Sequence, residues 1–63
     1  MAWLAVDKDG TEWRFSEKPF RVKEDGIWMV SDEAGIYLLI KGTIKKLIGH
    51  KLTWEDEPVE LKY

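Results

Sequence analysis

The residues of this chain that could bind a metal do not have the spacing that a metal site needs. Asp7-Lys8-Asp9-Gly10 has the composition of a calcium loop, but aligning Gly10 with the glycine of an EF-hand puts Ala5 at the first ligand position and Ser16 at the last. His50 is the single histidine, and the chain has no cysteine. We therefore predict no metal and no cofactor.

The spacing of the serines and carboxylates does not favour catalysis by a nucleophile or by a pair of carboxylates either. Ser16 and Ser31 fall in predicted loops, and neither has a base and an orienting group at a recognisable spacing. Twelve carboxylates guarantee some close pairs, but such pairs act as general acids only where a pocket raises the pKa of one member. The sequence predicts a protein that is not an enzyme.

The charges are nearly balanced along the whole chain but unevenly distributed. Ten basic and twelve acidic residues give a formal net charge of −2, which argues against non-specific DNA binding as the main activity. A basic stretch, residues 41–51, is followed at once by an acidic one, residues 55–60. The plain interpretation is a solvated helix face, and the alternative is a surface that binds phosphates through Lys41, Lys45, Lys46 and Lys51.

Tryptophan is abundant, with four in 63 residues. Each buried indole needs a partner for its N–H, and a core of this size can hardly bury all four together with the other aromatic side chains. Some aromatic surface is therefore expected to remain exposed. Such surface beside arginine suits protein recognition, and it also suits base stacking on a single strand. The four are Trp3, Trp13, Trp28 and Trp54.

Two Asp-Gly turns organise the first half of the chain. Lys8-Asp9-Gly10 and Glu24-Asp25-Gly26 each lie between alternating apolar residues, which predicts two β-hairpins with three-residue loops. The first register pairs Trp3 with Phe15, Leu4 with Arg14, Ala5 with Trp13 and Val6 with Glu12. The second register pairs Lys23 with Ile27, Val22 with Trp28 and Phe20 with Val30.

These registers assign one face of each hairpin to the core and the other to solvent or a partner. Trp13 and Trp28 are predicted to face the core, while the opposite faces mix aliphatic and charged side chains. The candidate binding surface on those opposite faces comprises Leu4, Val6, Arg14, Arg21, Ile27 and Met29.

The second half of the chain predicts further strands and one helix. Residues 36–40 are apolar on both faces of a strand, which predicts a central position in the sheet. Thr43 is predicted to cap a short helix that stops at Gly49 and docks on the sheet through Ile44, Leu47 and Ile48. Further strands are predicted at residues 52–54 and 59–63.

Together these elements predict one mainly β domain over residues 1–63. The fold expected is a small antiparallel sheet or a Src-homology-3-like barrel of about five to seven short strands, with one short helix near residues 43–49. The barrel, closed or nearly closed, is the first expectation, and an open sheet with the helix across one face is the alternative. No run is long enough to span a membrane. The lack of cysteine and of a signal-like start predicts a cytoplasmic location.

Both ends of the chain resemble short uncharacterised proteins encoded by bacteriophages and prophages. The resemblance lies in WLAVDKDGTEW at residues 3–13, KGTIKKLIG at residues 41–49 and LTWEDEP at residues 52–58, and it leaves the middle unmatched. It carries no catalytic motif. It implies an intracellular accessory protein of a mobile element, and small phage proteins of this kind often occupy a host or defence protein or sequester a signalling molecule.

We predict a non-enzymatic interaction module that binds a host protein through exposed aromatic and aliphatic side chains and an exposed strand edge. Homodimerisation is an additional hypothesis, because one cysteine-free core of this size supplies only about 3–5 kcal/mol. The alternative function is a nucleic-acid or nucleotide-binding module that uses the four lysines named above and a tryptophan face. High salt would weaken that second kind of complex much more than the first.

Overall fold

The computed structural model describes residues 2–62 and confirms a mainly β fold with one short helix. Tyr63, which we assigned to the last strand, lies outside the described residues. The elements in chain order are β1 (Ala2–Val6), β2 (Glu12–Phe15), β3 (Phe20–Val22), β4 (Ile27–Met29), β5 (Ile36–Leu39), α1 (Thr43–Ile48) and β6 (Val59–Leu61).

The strands form two antiparallel sheets. The larger sheet has the order β5-β2-β1-β6, and β3 pairs with β4 in a separate hairpin. Within residues 2–62 neither β5 nor β6 has a second neighbour, so the sheet is open and the expected closed barrel is wrong. The prediction of a central strand at residues 36–40 is also wrong. Because β6 returns to pair with β1, β5 is left at the edge with β2 as its neighbour.

The first hairpin has the predicted register, with all four cross-strand pairs confirmed. The backbone N–H of Asp7 donates to Thr11 O at 2.9 Å, and that of Gly10 donates to Asp7 O at 2.9 Å. Gly10 has a φ of 93°, which glycine adopts without strain. The Asp9 carboxylate also accepts a bond from Thr11 N at 2.9 Å. The loop therefore fixes the register of β1 on β2.

The second hairpin differs from its predicted register by one residue. Its pairs are Phe20 with Met29, Arg21 with Trp28 and Val22 with Ile27. The loop has four residues, 23–26, and Gly26 N donates to Val22 O at 3.0 Å. This shift moves Arg21 to the side of Trp28. Ile27 and Met29 still lie on the side of β4 opposite Trp28, which is buried as predicted.

Both faces of the larger sheet are covered around β1. Leu4 and Val6 pack with Ile44 and Leu52 on one face and form the helix-side cluster, whereas Ala5, Phe15, Trp28 and Val30 form the tryptophan cluster on the other. The prediction that Leu4 and Val6 face outward is wrong, since α1 and the segment after it cover them and leave them 0% and 6% exposed. The tryptophan face and the helix face are both core.

Helix α1 begins and ends at glycines. Its N-cap is Gly42, not Thr43, and the first N–H groups of the helix are satisfied from β2, because Glu12 Oε2 accepts from Gly42 N at 2.7 Å and Glu12 Oε1 from Ile44 N at 2.8 Å. Gly49 ends the helix as predicted, donating to Lys45 O at 2.9 Å. Ile44 is buried, but Leu47 is 42% exposed, so its predicted docking on the sheet is wrong.

The segment predicted as a strand at residues 52–54 runs into a turn instead. The Asp56 carboxylate accepts bonds from Thr53 N at 2.8 Å and from the Thr53 hydroxyl at 3.0 Å, and Asp56 N donates back to Thr53 O at 3.1 Å. Such local bonds from an aspartate compete with strand pairing. The turn places Leu52 in the helix-side cluster and Trp54 beside the opposite one.

Candidate interaction surface

The six residues predicted as a binding surface do not form one surface. Leu4 and Val6 belong to the core described above. Met29 is 42% exposed, Ile27 is half-buried, and both lie on the outer side of the β3–β4 hairpin. Arg14 is exposed on β2, where its guanidinium lies 5.4 Å from the centre of the Tyr37 ring. The prediction therefore combined core residues with two separate patches.

Arg21 has an internal structural role. Its guanidinium carbon lies 4.7 Å from the ring centre of Trp28 and 5.2 Å from that of Trp54. Its Nη2 donates to Trp54 O at 2.9 Å and to Asp56 O at 3.1 Å, and lies 3.7 Å from Glu57 Oε2. A cation against aromatic faces is worth about 0.5–2 kcal/mol, more when water is excluded. Arg21 thus fixes the turn at residues 53–56 onto the tryptophan cluster.

The tryptophans are used mainly inside the molecule. Trp28 Nε1 donates to Val6 O at 2.9 Å, and Trp13 Nε1 donates to the buried Asp7 carboxylate at 2.8 Å. The same carboxylate accepts Trp28 N at 3.0 Å, which joins the two sheets. Trp3, Trp13 and Trp54 are half-buried, and none of the four is exposed. Within residues 2–62, the aromatic side chains that do face solvent are Phe20 and Tyr37.

Strand β5 and the residue after it form the most exposed apolar segment in the part of the chain that the structure describes. Ile36, Tyr37 and Leu38 are 52%, 52% and 68% exposed, and Ile40, which follows the strand, is 84% exposed. Neither a charged residue nor a proline interrupts the run. Natural edge strands usually carry such residues, because they prevent pairing with another chain. β5 therefore has the properties of a strand that takes a partner.

The backbone of β5 has free pairing groups on its outer side. Ser16 N donates to Gly35 O at 3.0 Å, so Gly35 faces β2. In an antiparallel ladder alternate residues direct both backbone groups to the same neighbour. Tyr37 and Leu39 therefore also face β2, and the N–H and C=O groups of Ile36 and Leu38 point away from the sheet.

The predicted basic surface is brought together only in part. Lys41, Lys45 and Lys51 line a groove of about 740 Å³ that lies beside α1, whereas Lys46 is not among its lining residues. Lys8, from the first hairpin loop, is a fourth cation there that sequence reasoning missed. The groove is also lined by apolar side chains, among them Val6, Ile44, Leu52 and Trp54.

Among the described residues, two carboxyl groups, those of Asp9 and Asp56, have perturbed pKa values, and both lie in exposed turns. Hydrogen bonds from the Thr11 side chain and backbone lower the pKa of Asp9 below its ordinary 3.8. Bonds from the backbone N–H and then the hydroxyl of Thr53 lower the pKa of Asp56 below 3.8. Because each shift arises within its own turn, neither points to acid–base chemistry.

The described residues contain no candidate metal site and no helix that could span a membrane. Among residues 2–62, no group of three or more histidine, aspartate or glutamate side chains is arranged to hold a metal ion. Over the same residues, the one helix is far too short to cross a bilayer. No protein-family model, curated protein or solved structure matches the chain.

Sequence reasoning missed Ile36, Tyr37, Leu38 and Ile40 as surface residues, although it expected an exposed strand edge. An apolar run on both faces of a strand is typical of a central strand, and here that pattern occurs at an edge. The missing information was the pairing of β6 with β1, which occupies the other side of the sheet.

Proposed function

We propose that this chain is a non-enzymatic interaction module whose β5 edge pairs with an extended segment of another polypeptide. The observation that supports the proposal most strongly is the combination of outward backbone groups at Ile36 and Leu38 with exposed apolar side chains on both faces of the strand. In this mode of binding, main-chain hydrogen bonds supply affinity, and the alternating side chains supply specificity.

The remainder of the molecule supports a scaffold for that edge. β5 is held by four cross-strand pairs to β2. Strand β2 is fixed in turn by the first hairpin loop and by the bonds that Glu12 of β2 accepts from the start of α1. A rigid edge loses little conformational freedom on binding, so more of the contact energy appears as affinity.

The test is affinity capture from a cell lysate with two variants beside the parent chain. Leu38→Pro removes an outward N–H from the edge, a position where a strand tolerates proline, so the fold should persist. Met29→Gln changes an exposed apolar side chain on the other hairpin. Polypeptides retained by the parent and by Met29→Gln, but lost with Leu38→Pro, would support binding at β5.

Two outcomes would contradict the proposal. Retention that depends on Met29 and not on Leu38 would place the binding site on the β3–β4 hairpin. Retention of the same polypeptides by all three proteins would mean that the β5 edge has no such role. Circular dichroism spectra of the variants must match that of the parent chain for the comparison to hold.

A second candidate function is binding of a nucleotide or a single-stranded nucleic acid. The groove beside α1 favours it, because Lys8, Lys41, Lys45 and Lys51 can meet phosphates while Trp54 offers a ring for stacking. Lys45→Glu should abolish binding of a nucleoside triphosphate or an oligonucleotide, and the matched control Lys46→Glu should not. Affinity should also fall steeply as salt rises. Equal effects of the two variants would exclude the groove.

A further inference from the structure

We infer that the segment bound at the β5 edge is β5 of a second copy of this chain, in an antiparallel pair around a twofold axis at Tyr37. The inference rests on the proposed function, since it names the partner of the same edge. A twofold interface requires that one surface match itself. The backbone, the side chains and the charges of residues 32–41 each meet that requirement.

The backbone fixes which registers are allowed. Only Ile36 and Leu38 within β5 direct their N–H and C=O groups outward, so in an antiparallel pair they must lie opposite outward groups of the other copy. Placing Ile36 opposite the second copy's Leu38 gives the outward N–H and C=O groups of both residues, in both chains, a hydrogen-bond partner. Tyr37 then lies opposite itself, on the axis.

The side chains agree with this register. A twofold axis perpendicular to the sheet keeps equivalent faces on the same side. Ile36 and Leu38 share the face that carries Phe15 and Trp13, because they are their cross-strand partners. Four aliphatic side chains, two from each copy, would therefore meet on that face, and the two Tyr37 rings would meet on the other. Aromatic and aliphatic cross-strand pairs of this kind stabilise sheets.

The charges at the two ends of β5 favour an antiparallel pair and this register. Asp32 and Glu33 precede the strand, and Lys41 follows it; all three are exposed. Glu33 lies in the turn at residues 31–34 and Lys41 in the turn at residues 40–43, which are closed by bonds from Ala34 N to Ser31 O and from Thr43 N to Ile40 O. Centring the pair on Tyr37 brings the turn that carries each Lys41 level with the turn that carries Glu33 of the second copy. Shifting the register by two residues in either direction offsets these turns, and a parallel pair would bring like charges together. Opposite charges suppress wrong registers in this way.

Cysteine variants test the register directly, because the chain contains no cysteine. Residues opposite each other in a non-hydrogen-bonded pair have Cα atoms about 4.5 Å apart, which a disulfide can span. Under mild oxidation Tyr37→Cys should form a covalent dimer at least about tenfold faster than Leu38→Cys or Ile36→Cys, since pairing raises the effective concentration of that thiol alone. Faster cross-linking at position 38 or 36, or equal rates at all three, would overturn the inferred register.

A charge exchange tests the same pair without touching β5. Glu33→Lys and Lys41→Glu should each shift the parent dimer towards monomer in sedimentation velocity, and the double variant should restore the dimer. Failure of the double variant to restore it would contradict the Lys41–Glu33 pairing. Leu38→Pro should be monomeric at every concentration.

The inference and the proposed function can fail separately. A folded parent chain that sediments as a monomer at all concentrations excludes the homodimer. Capture of another polypeptide that depends on Leu38 would in that case still support β5 as an interaction edge. If the parent is monomeric and no capture depends on Leu38, both proposals are wrong.

Discussion

The two edges of the four-stranded sheet have opposite properties. At β6, Val59 and Leu61 lie opposite Leu4 and Ala2, whose backbone groups point away from β2, so their own backbone groups face β1 and the outward position within the strand belongs to Glu60. Pro58, which has no N–H, precedes the strand, and Lys62 follows it. Charged residues and proline are the usual means by which an edge is kept from pairing. β6 is a protected edge.

At β5 the corresponding outward positions belong to Ile36 and Leu38, and the next residue of that parity is Ile40. None of them is charged. The same sheet therefore ends in one edge that resists a partner and one that favours it. Exposure of an edge strand therefore does not by itself indicate that the edge can pair with another chain. The residue types at its outward positions do.

The largest effect expected from this comparison is on stability. Val59→Asp places a carboxylate beside the helix-side cluster, directly opposite the fully buried Leu4, and should lower the free energy of unfolding by roughly 3 kcal/mol. Leu38→Asp, at the other edge, should change the free energy of unfolding of the monomer by less than about 0.5 kcal/mol, measured at a dilution at which the inferred dimer dissociates. Urea unfolding followed by tryptophan fluorescence measures both. Comparable losses would show that β5 is covered in the isolated chain.

Two prolines separate the inward from the outward backbone groups of β5. Tyr37→Pro removes an N–H that bonds to β2 and leaves a carbonyl of Arg14 without its partner, so it should cost roughly 2 kcal/mol. Leu38→Pro should leave the thermal midpoint close to that of the parent when both are measured at a dilution at which the parent is monomeric. If the two prolines are equally destabilising, the assignment of outward groups to Ile36 and Leu38 is wrong.

The two hairpins show how far local sequence determines structure. Both loops contain Asp-Gly, yet only the first has three residues and the predicted register. In the first loop the Asp9 carboxylate bonds to Thr11 N, a contact that the sequence places within reach. In the second, Arg21 lies between Trp28 and Trp54, a residue 33 positions further along the chain. No local pattern near residue 21 could predict that contact.

The accuracy of the predicted binding surface depended on the same difference between local and long-range contacts. The positions of β1 to β6 and the end of α1 could be predicted, because the alternation of apolar and polar residues and the placement of glycines act locally. Which strand lies at an edge depends on a long-range pairing, that of β6 with β1. The burial of Leu4 and Val6 also depends on where Ile44 and Leu52 pack. Both errors in the predicted surface have this origin.

A smaller effect is expected at Glu12, which ties the chain beyond β5 back to β2. Glu12→Ala removes both acceptors for Gly42 N and Ile44 N and should cost about 1–2 kcal/mol, as loss of a helix cap does. Glu12→Gln keeps one oxygen acceptor and should lose about half as much. Equal losses in thermal denaturation would mean that the charge of Glu12, and not its two-point contact, holds the helix.

The smallest effect expected is the pH dependence of the turn that leads into β6. Bonds from Thr53 lower the pKa of Asp56 in the folded chain below its ordinary 3.8. A carboxyl group whose pKa is lower when folded stabilises the fold above its ordinary pKa and loses that contribution as the pH falls through the folded value. The Asp56→Asn variant cannot lose a charge there. The parent should therefore be the more stable protein at neutral pH, and the difference between the two thermal midpoints should shrink below pH 3.8. A difference that stays constant from neutral to acidic pH would show that the Thr53–Asp56 turn does not depend on the carboxylate charge.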